Sequence, residues 1–405
     1  MENNGSTTEI KSTKHVLITG ASITGPTVAW WLNRSGFKVT VVERSKQFRD
    51  GGQTIDIRGA ARTVVQRMGL ENNIRDKSTH EKGLAFVDEN DGVVAQFNVD
   101  QFAGEGPVAE IEVLRGELAK LFIHETEEKV EYIYGDTVTK IDDTGDKVRV
   151  QFQSGKFSEF DLVVIAEGIG SATRNMVFGE EVKRRPFNLY TAYFTIPQAK
   201  TDGEVARWYN APGGLGVFLR PDNLGTTRAV FNMQEAPNGL EKKSAEEQKK
   251  YIREKFSQVG WETDRVLDGM DRASDFYLES VGQVRMDRWS KGRVVLVGDA
   301  AYCASPLSGM GTALALVGAY VLAGEIAKYG NPTEAFDQYE KIMRPYVAKA
   351  QNIPSFMPRL GQPQTKFGIY LQRIVLKIAT NRFLGWMTSK LFAPPASAIN
   401  LPNYS

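Results

Sequence analysis

Apolar and polar positions along the chain fall into two kinds of repeat. Near the start, HVLIT (His15 to Thr19) is a short apolar, β-branched run of the kind that forms a buried parallel strand. GPTVAWWLNRSG then repeats apolar residues at helical spacing and stops at Gly36, and FKVTVVER follows as a second strand. The succession predicts a βαβ unit. Late in the chain a related signature returns: an apolar strand from Arg293 to Val297, a Pro/Gly loop, and a long apolar helix beginning near Gly311. Between about Arg184 and Met286 the pattern changes to strand-like runs separated by turn residues: LYTAYFTIP, GGLGVFLRP, TTRAVFNM and FYLESVGQVRM. One charged helix-like segment, EKKSAEEQKKYIREKFSQV, lies among them and reads as a solvated face. Strands without intervening helices predict a mostly antiparallel sheet that forms one wall of a pocket.

Gly20, Ser22 and Gly25 occupy the turn where the first strand becomes the helix. In a dinucleotide site the first small residue permits the tight turn, the second lets a pyrophosphate approach the backbone, and the third lets the helix pack closely on the sheet. Amides at the helix N-terminus then face the phosphates. Ser22 stands where a second glycine is usual; it is small and adds a hydroxyl donor. Glu43 closes the second strand about 20 residues beyond the turn, where a carboxylate can hold a ribose hydroxyl, and Arg44 joins it as a cofactor-binding candidate. A glycine turn that binds nothing is the bland alternative. Asp299, at the end of the late strand, can accept from a ribose or ribityl hydroxyl, and the helix beginning near Gly311 can face a pyrophosphate or a flavin carbonyl.

Composition narrows the class of ligand. The chain has 405 residues, 41% of them hydrophobic, with 50 Lys and Arg against 49 Asp and Glu for a net charge of +1. That length accommodates two interleaved domains, and the balanced charge argues against a nucleic-acid partner. With one cysteine, Cys303, and three histidines, neither a disulfide framework nor a Cys/His metal site is expected. The polar run MENNGSTTEIKSTK lacks the apolar core of a signal peptide, and no uncharged apolar run is long enough to span a bilayer, so a cytoplasmic location is expected.

Three stretches then resemble one family. GDAAYCASPLSGMG looks like the GD motif of class A FAD-dependent flavoprotein monooxygenases, the group typified by p-hydroxybenzoate hydroxylase. FDLVVIAEGIGSATRNMV resembles that group's second signature, which is associated with both FAD and NAD(P)H; here Glu167-Gly168 replaces the usual Asp-Gly, with Ser171 and Arg174 following. VLRGELAKLF places Arg115 at a helix start, matching a flavin-contacting arginine. More narrowly, GGQTIDIRG (Gly51 to Gly59), RMGL and the GD stretch resemble the tetracycline-inactivating branch, although Met310 stands where that branch commonly has glutamine. The resemblance implies an α/β fold with a Rossmann-like FAD-binding domain, discontinuous over 1–75, 110–183 and 287–330. It also implies an inserted, mostly antiparallel β-sheet substrate domain over 76–109 and 184–286, and a C-terminal helical segment over 331–405. It puts Arg58 beside the flavin or substrate, and Pro306, Gly309 and Gly311 around the flavin. On the inserted strands Tyr190, Phe194 and Phe218 are the substrate-pocket candidates, with Pro306 and Leu307 beside the flavin; ordinary sheet packing is their alternative.

The implied activity is oxygenation of an aromatic or polycyclic small molecule, with inactivation of tetracycline antibiotics as the implied case. NAD(P)H reduces FAD as a transient co-substrate, O2 adds at the flavin C4a carbon, and the hydroperoxide transfers one oxygen atom. No protein nucleophile and no metal are required, and a monomer is expected. Cys303 is read as packing. After Glu340 the tail has no acidic residue but nine Lys and Arg, from Lys341 to Lys390. Its amphipathic stretch TKFGIYLQRIVLKIATNRFLGWMTSKLF is expected to pack on the fold, with peripheral membrane contact as the alternative. A flavin-dependent reductase or dehydrogenase of a lipid-like substrate at the membrane surface, and a non-catalytic flavin-binding sensor, are the competing functions.

Overall fold

A computed structural model describes residues 13–48, 51–99, 109–380 and 395–404. Its first layer is a six-stranded sheet in the spatial order Ser290–Lys291, Val294–Leu296, Leu162–Ile165, His15–Thr19, Lys38–Glu43 and Glu131–Tyr134. All neighbours run parallel except the first pair. Ile18 lies opposite Val41 on one side and Val164 on the other. Helices cover the sheet, which is why HVLIT and LVVI are apolar at consecutive positions instead of alternating. The helix Gly311–Lys328 packs against Thr24–Arg34 and Pro332–Gln351. Among the described residues it is the one helix long and apolar enough to cross a membrane, and it is largely buried in the core.

The second layer is a seven-stranded sheet in the order Tyr277–Arg285, Lys183–Pro197, Thr226–Met233, Leu215–Pro221, Ala206–Ala211, Gly83–Val87 and Val93–Asn98. Every neighbour is antiparallel except Ala206–Ala211 against Gly83–Val87. Ala206–Ala211 is a strand that alternation did not announce, because five of its six residues are buried and the period of two is lost.

The faces of this broad sheet differ. One carries Ala192, Phe194, Val217, Leu219 and Phe231, sealed by Ile252 and Phe256 of the helix Ala245–Phe256 and by Val266, Leu267 and Met270 of Thr263–Arg272. The charged segment is thus solvated on one side only. The other face turns to the first layer: Leu307 packs with Phe187, Leu189, Val281 and Ile353, and Arg220 lies 3.4 Å from Glu112.

The tail serves both layers. Pro332–Gln351 buries Phe336, Tyr339, Met343 and Tyr346 in the core of the first layer. Lys366–Ala379 lays Leu376 and Ala379 on Ala95 and Phe97 of the broad sheet. The helix therefore packs as expected, yet it carries a second apolar stripe, Phe367, Tyr370, Leu371, Ile374, Val375 and Ile378, that is exposed. Arg382 and Lys390 lie outside the described residues, as does the N-terminal run to Ser12. Residues 395–404 return to the first layer, where the Ala396 carbonyl accepts from the Ala60 amide at 3.0 Å and the Tyr346 hydroxyl at 2.8 Å.

Candidate active site

The βαβ turn is held by contacts that admit no side chain at two of its positions. Gly20 has φ +99°, and a Cβ there would sit 2.7 Å from the Ala166 carbonyl oxygen; at Gly25 a Cβ would sit 1.9 Å from the carbonyl oxygen of Gly20. Helix Thr24–Arg34 therefore starts hard against the strand end, and no side chain caps its first amides. Glu43, at the end of the second strand, accepts from the Ala21 amide at 3.0 Å and the Ser45 amide at 2.9 Å. Its carboxylate is thereby fixed beside the turn, and Arg44 follows it, exposed. Ser22 accepts a 2.8 Å hydrogen bond from Nη2 of Arg115, which begins the helix Arg115–His124. Two distant candidates are thus in direct contact.

The late strand delivers a second wall to the same place. Gly298 has φ +65°, and a Cβ there would meet Thr24 Oγ1 at 2.7 Å, so the GD turn touches the start of the first helix. Asp299 comes next; burial pushes its carboxyl above the ordinary range, with Arg115 and Cys303 opposing the shift. Pro306 and Gly309 follow on an exposed loop in which Ser305 and Gly309 both have positive φ. Gly311 opens an 18-residue helix with nothing within 4 Å of a would-be Cβ, so that helix N-terminus borders free space.

Glu167 plays a local role. It accepts from Ser171 Oγ at 2.8 Å and the Thr173 amide at 3.1 Å, capping the helix Ala172–Phe178. Arg174 is fully buried and donates to the carbonyls of Ala300 at 3.1 Å and Ile169 at 2.9 Å, which ties this loop to the GD helix. Burial, reinforced by Arg184, lowers the Arg174 guanidinium to about 10. Arg58 is buried and pairs with Asp56. Cys303 is a buried free thiol pushed well above its ordinary value, mainly by burial, and thus inert.

The substrate expectations divide. Phe218 lies on the inner face of the broad sheet, beside Trp208 with ring centroids 5.3 Å apart, and Leu307 packs against that face from the loop after the late strand. Tyr190 and Phe194 do not. Tyr190 is 0% and Phe194 1% exposed, both on the helix-covered face, and the Tyr190 hydroxyl donates to Glu241 at 2.9 Å. Their expected placement was wrong by one residue, which in a strand inverts the face. The inner face instead presents Thr191, Tyr193 and, from the edge strand, Tyr277 and Glu279. These polar residues had no motif to mark them; their alternation with Tyr190, Ala192 and Phe194 was the available signal.

Small-residue turns, a fixed carboxylate and two helix N-termini converging at the open end of a parallel sheet define a dinucleotide-binding oxidoreductase. The Gly20 to Gly25 backbone, closed to side chains at Gly20 and Gly25 and leading into a helix with no side-chain cap, fits the pyrophosphate of FAD. Residues 13–352 match the model of the FAD binding domain family, to which the chain belongs. It is 37% identical to a monooxygenase, CTB7, of Cercospora beticola, over 97% of this chain and 98% of that one. It superposes on the crystal structure of tetracycline destructase Tet(51) with a TM-score of 0.80 and 32% identity, over 97% of this chain and 99% of that one. Klebsiella pneumoniae HpxO, solved with FAD and uric acid, shares the fold at a TM-score of 0.75 and 20% identity, over 94% of this chain and 97% of that one. The protein is a class A FAD-dependent monooxygenase resembling the tetracycline destructases.

Proposed function

We propose that the protein uses NAD(P)H and O2 to insert one oxygen atom into an aromatic or polycyclic compound, with tetracycline-type antibiotics the first substrates to test. The observation that carries this reading is the convergence of the Gly20 to Gly25 turn, Arg115 and Asp299 below the inner face of the broad sheet, in a chain similar over nearly its whole length to a tetracycline destructase. FAD, when bound, supplies the redox chemistry, taking a hydride from NAD(P)H and passing one oxygen atom of O2 to the substrate.

The chain's own residues bind, orient and shield. The amides after Gly20 hold the pyrophosphate, with Ser22 and Arg115 beside it, and Glu43 holds a ribose hydroxyl. Asp299 accepts from a ribityl hydroxyl, and the helix starting at Gly311 faces the flavin ring with Pro306 and Gly309. Arg44 and Arg58 complete the cofactor side. Phe218 and Leu307 supply apolar surface for a flat substrate while the broad sheet excludes water. Segments 1–75, 110–183 and 287–330 form the cofactor domain in this reading, and 76–109 with 184–286 form the substrate domain.

The pyridine nucleotide has a candidate surface of its own. Arg185 and Arg285 both donate to the buried Gln283 side-chain oxygen, at 3.4 and 2.9 Å, and no carboxylate pairs with either among the described residues. Like charges held together around one neutral amide suit the phosphates of NAD(P)H. A second reading, contact with a membrane surface, is favoured by the exposed stripe of Lys366–Ala379 alone. Cosedimentation with anionic vesicles tests it.

The deciding experiment is an absorbance spectrum of the purified protein followed by NADPH oxidation with and without tetracycline. A flavin spectrum with drug-dependent NADPH loss and a change in the drug's own absorbance supports the proposal; flavin without such stimulation removes tetracyclines as substrates.

A further inference from the structure

The inner face of the broad sheet is polar at the point where it meets the flavin cradle. Register sets Thr191 opposite Glu279 and Tyr193 opposite Tyr277. The Tyr193 hydroxyl donates to Glu279 Oε1 at 3.1 Å, and its ring stacks on Tyr277 with centroids 6.5 Å apart. From the cradle, Arg115 and Asp299 both act electrostatically on Glu279, and Cys303 lies beside Asp299. No lysine or arginine forms an ion pair with Glu279 among the described residues. Burial pushes its carboxyl up to about 7; the Tyr193 hydrogen bond and Arg115 oppose that shift, and Asp299 adds to it. Tyr193 and Tyr277 are raised as well, burial first, so both remain neutral donors.

A glutamate on a sheet normally pairs with an arginine or a lysine, and among the described residues this one bonds to a tyrosine instead. It is half-buried, bonded to one tyrosine, and aimed at the cleft between sheet and cradle. A carboxyl whose charge is costly, balanced near neutral pH and facing a ligand cleft is suited to accept a proton.

Resting on the reading of this cleft as an aromatic monooxygenase pocket, we propose that Glu279 takes the proton from a phenolic or enolic hydroxyl of the substrate, with Tyr193 fixing the carboxylate. The substrate O–H bond breaks, a carboxyl O–H bond forms, and the electron pair stays on the substrate oxygen. That pair enriches the neighbouring ring carbon for attack on an electrophilic oxygen atom. The proton rests on Glu279 until the product oxygen takes it back. The pocket accordingly selects substrates with an ionisable hydroxyl over those whose oxygen is alkylated.

The FAD-loaded protein is titrated with β-hydroxyanthraquinone, whose ionised and neutral forms differ in colour, and with its methyl ether, at a pH where the free dye is neutral. Wild type is expected to bind the hydroxy compound roughly tenfold tighter than the ether, the effect of one charge-assisted hydrogen bond, and to turn it to the ionised colour. Glu279→Gln keeps its flavin, binds both compounds alike and leaves the dye neutral. Tyr193→Phe, a milder change, keeps the colour shift with weakened preference. Dye that stays neutral on wild type, equal colour change on Glu279→Gln, or failure of flavin-bearing wild type to bind either compound overturns the assignment. Wild type that takes up no FAD defeats the underlying reading of the cleft instead.

Discussion

At the scale of single residues, what a side chain does depends on which contacts the fold leaves open to it. Asp299 is desolvated at the end of a strand, with Arg115 the cation that opposes the effect of burial on it, so a ligand hydroxyl is the partner expected for it. Asp299→Ala is expected to weaken FAD binding by about 10- to 100-fold, the loss of one hydrogen bond to a charged group, and to purify with less flavin; equilibrium dialysis against FAD measures it. Glu279 makes a different prediction. Its folded pKa of about 7 lies above the ordinary glutamate range, so the folded state binds that proton more tightly than the unfolded chain. The resulting stability is fully present below the unfolded value and is lost as pH rises through about 7. In flavin-stripped protein, the melting temperature of Glu279→Gln relative to wild type should therefore rise between about pH 5 and about pH 8. A constant difference would show that Glu279 titrates normally.

At the scale of elements, legibility followed period. The βαβ unit was readable because a fully buried strand, an amphipathic helix and small turn residues each leave a local mark; motif put Ser22 at the turn and Arg115 only at a helix start, and the fold brings the two into contact. The broad sheet was readable as strands but not as faces. LYTAYFTIP alternates two kinds of bulky residue, and nothing local says whether Tyr190 or Tyr193 points to the inner face; the helices Ala245–Phe256 and Thr263–Arg272 decide that by covering the other side. The assignment is testable by contrast. Phe194→Ala should cost about 3–5 kcal/mol of stability by leaving a core cavity, read by chemical denaturation, whereas Tyr193→Phe should leave stability nearly unchanged while altering substrate preference. The arginine pair belongs to the same scale, since two strands bring it together. Arg285→Ala is expected to raise the KM for NADPH by about tenfold or more while flavin content stays constant, and steady-state kinetics at fixed ionic strength checks it.

At the scale of the whole molecule, the chain's last residues help close the cofactor layer. Sequence could not show this, because a short irregular segment has no period and its partners lie far back in the chain. Tyr404 sits where a Cβ on Gly324 would come within 2.2 Å of its ring, and its hydroxyl donates to Glu325 Oε1 at 2.5 Å. Glu325 is 2% exposed, so removing that donor strands a buried carboxylate. The Pro402 carbonyl accepts from the Tyr320 hydroxyl at 2.8 Å and the Arg67 guanidinium at 2.7 Å, which joins the tail to two helices around the same core. Tyr404→Phe retains the ring and deletes the hydrogen bond, and should cost about 1–3 kcal/mol. Deleting residues 395–405 also removes the Ala396 carbonyl from Tyr346 and Ala60, and should lower the melting temperature further than Tyr404→Phe does. Since these contacts brace the helix whose N-terminus begins at Gly311, the truncation should also lose flavin more readily, and added FAD should restore part of the lost melting temperature by mass action. Truncated protein with unchanged melting and flavin retention would mean that the tail rests on the core without supporting it.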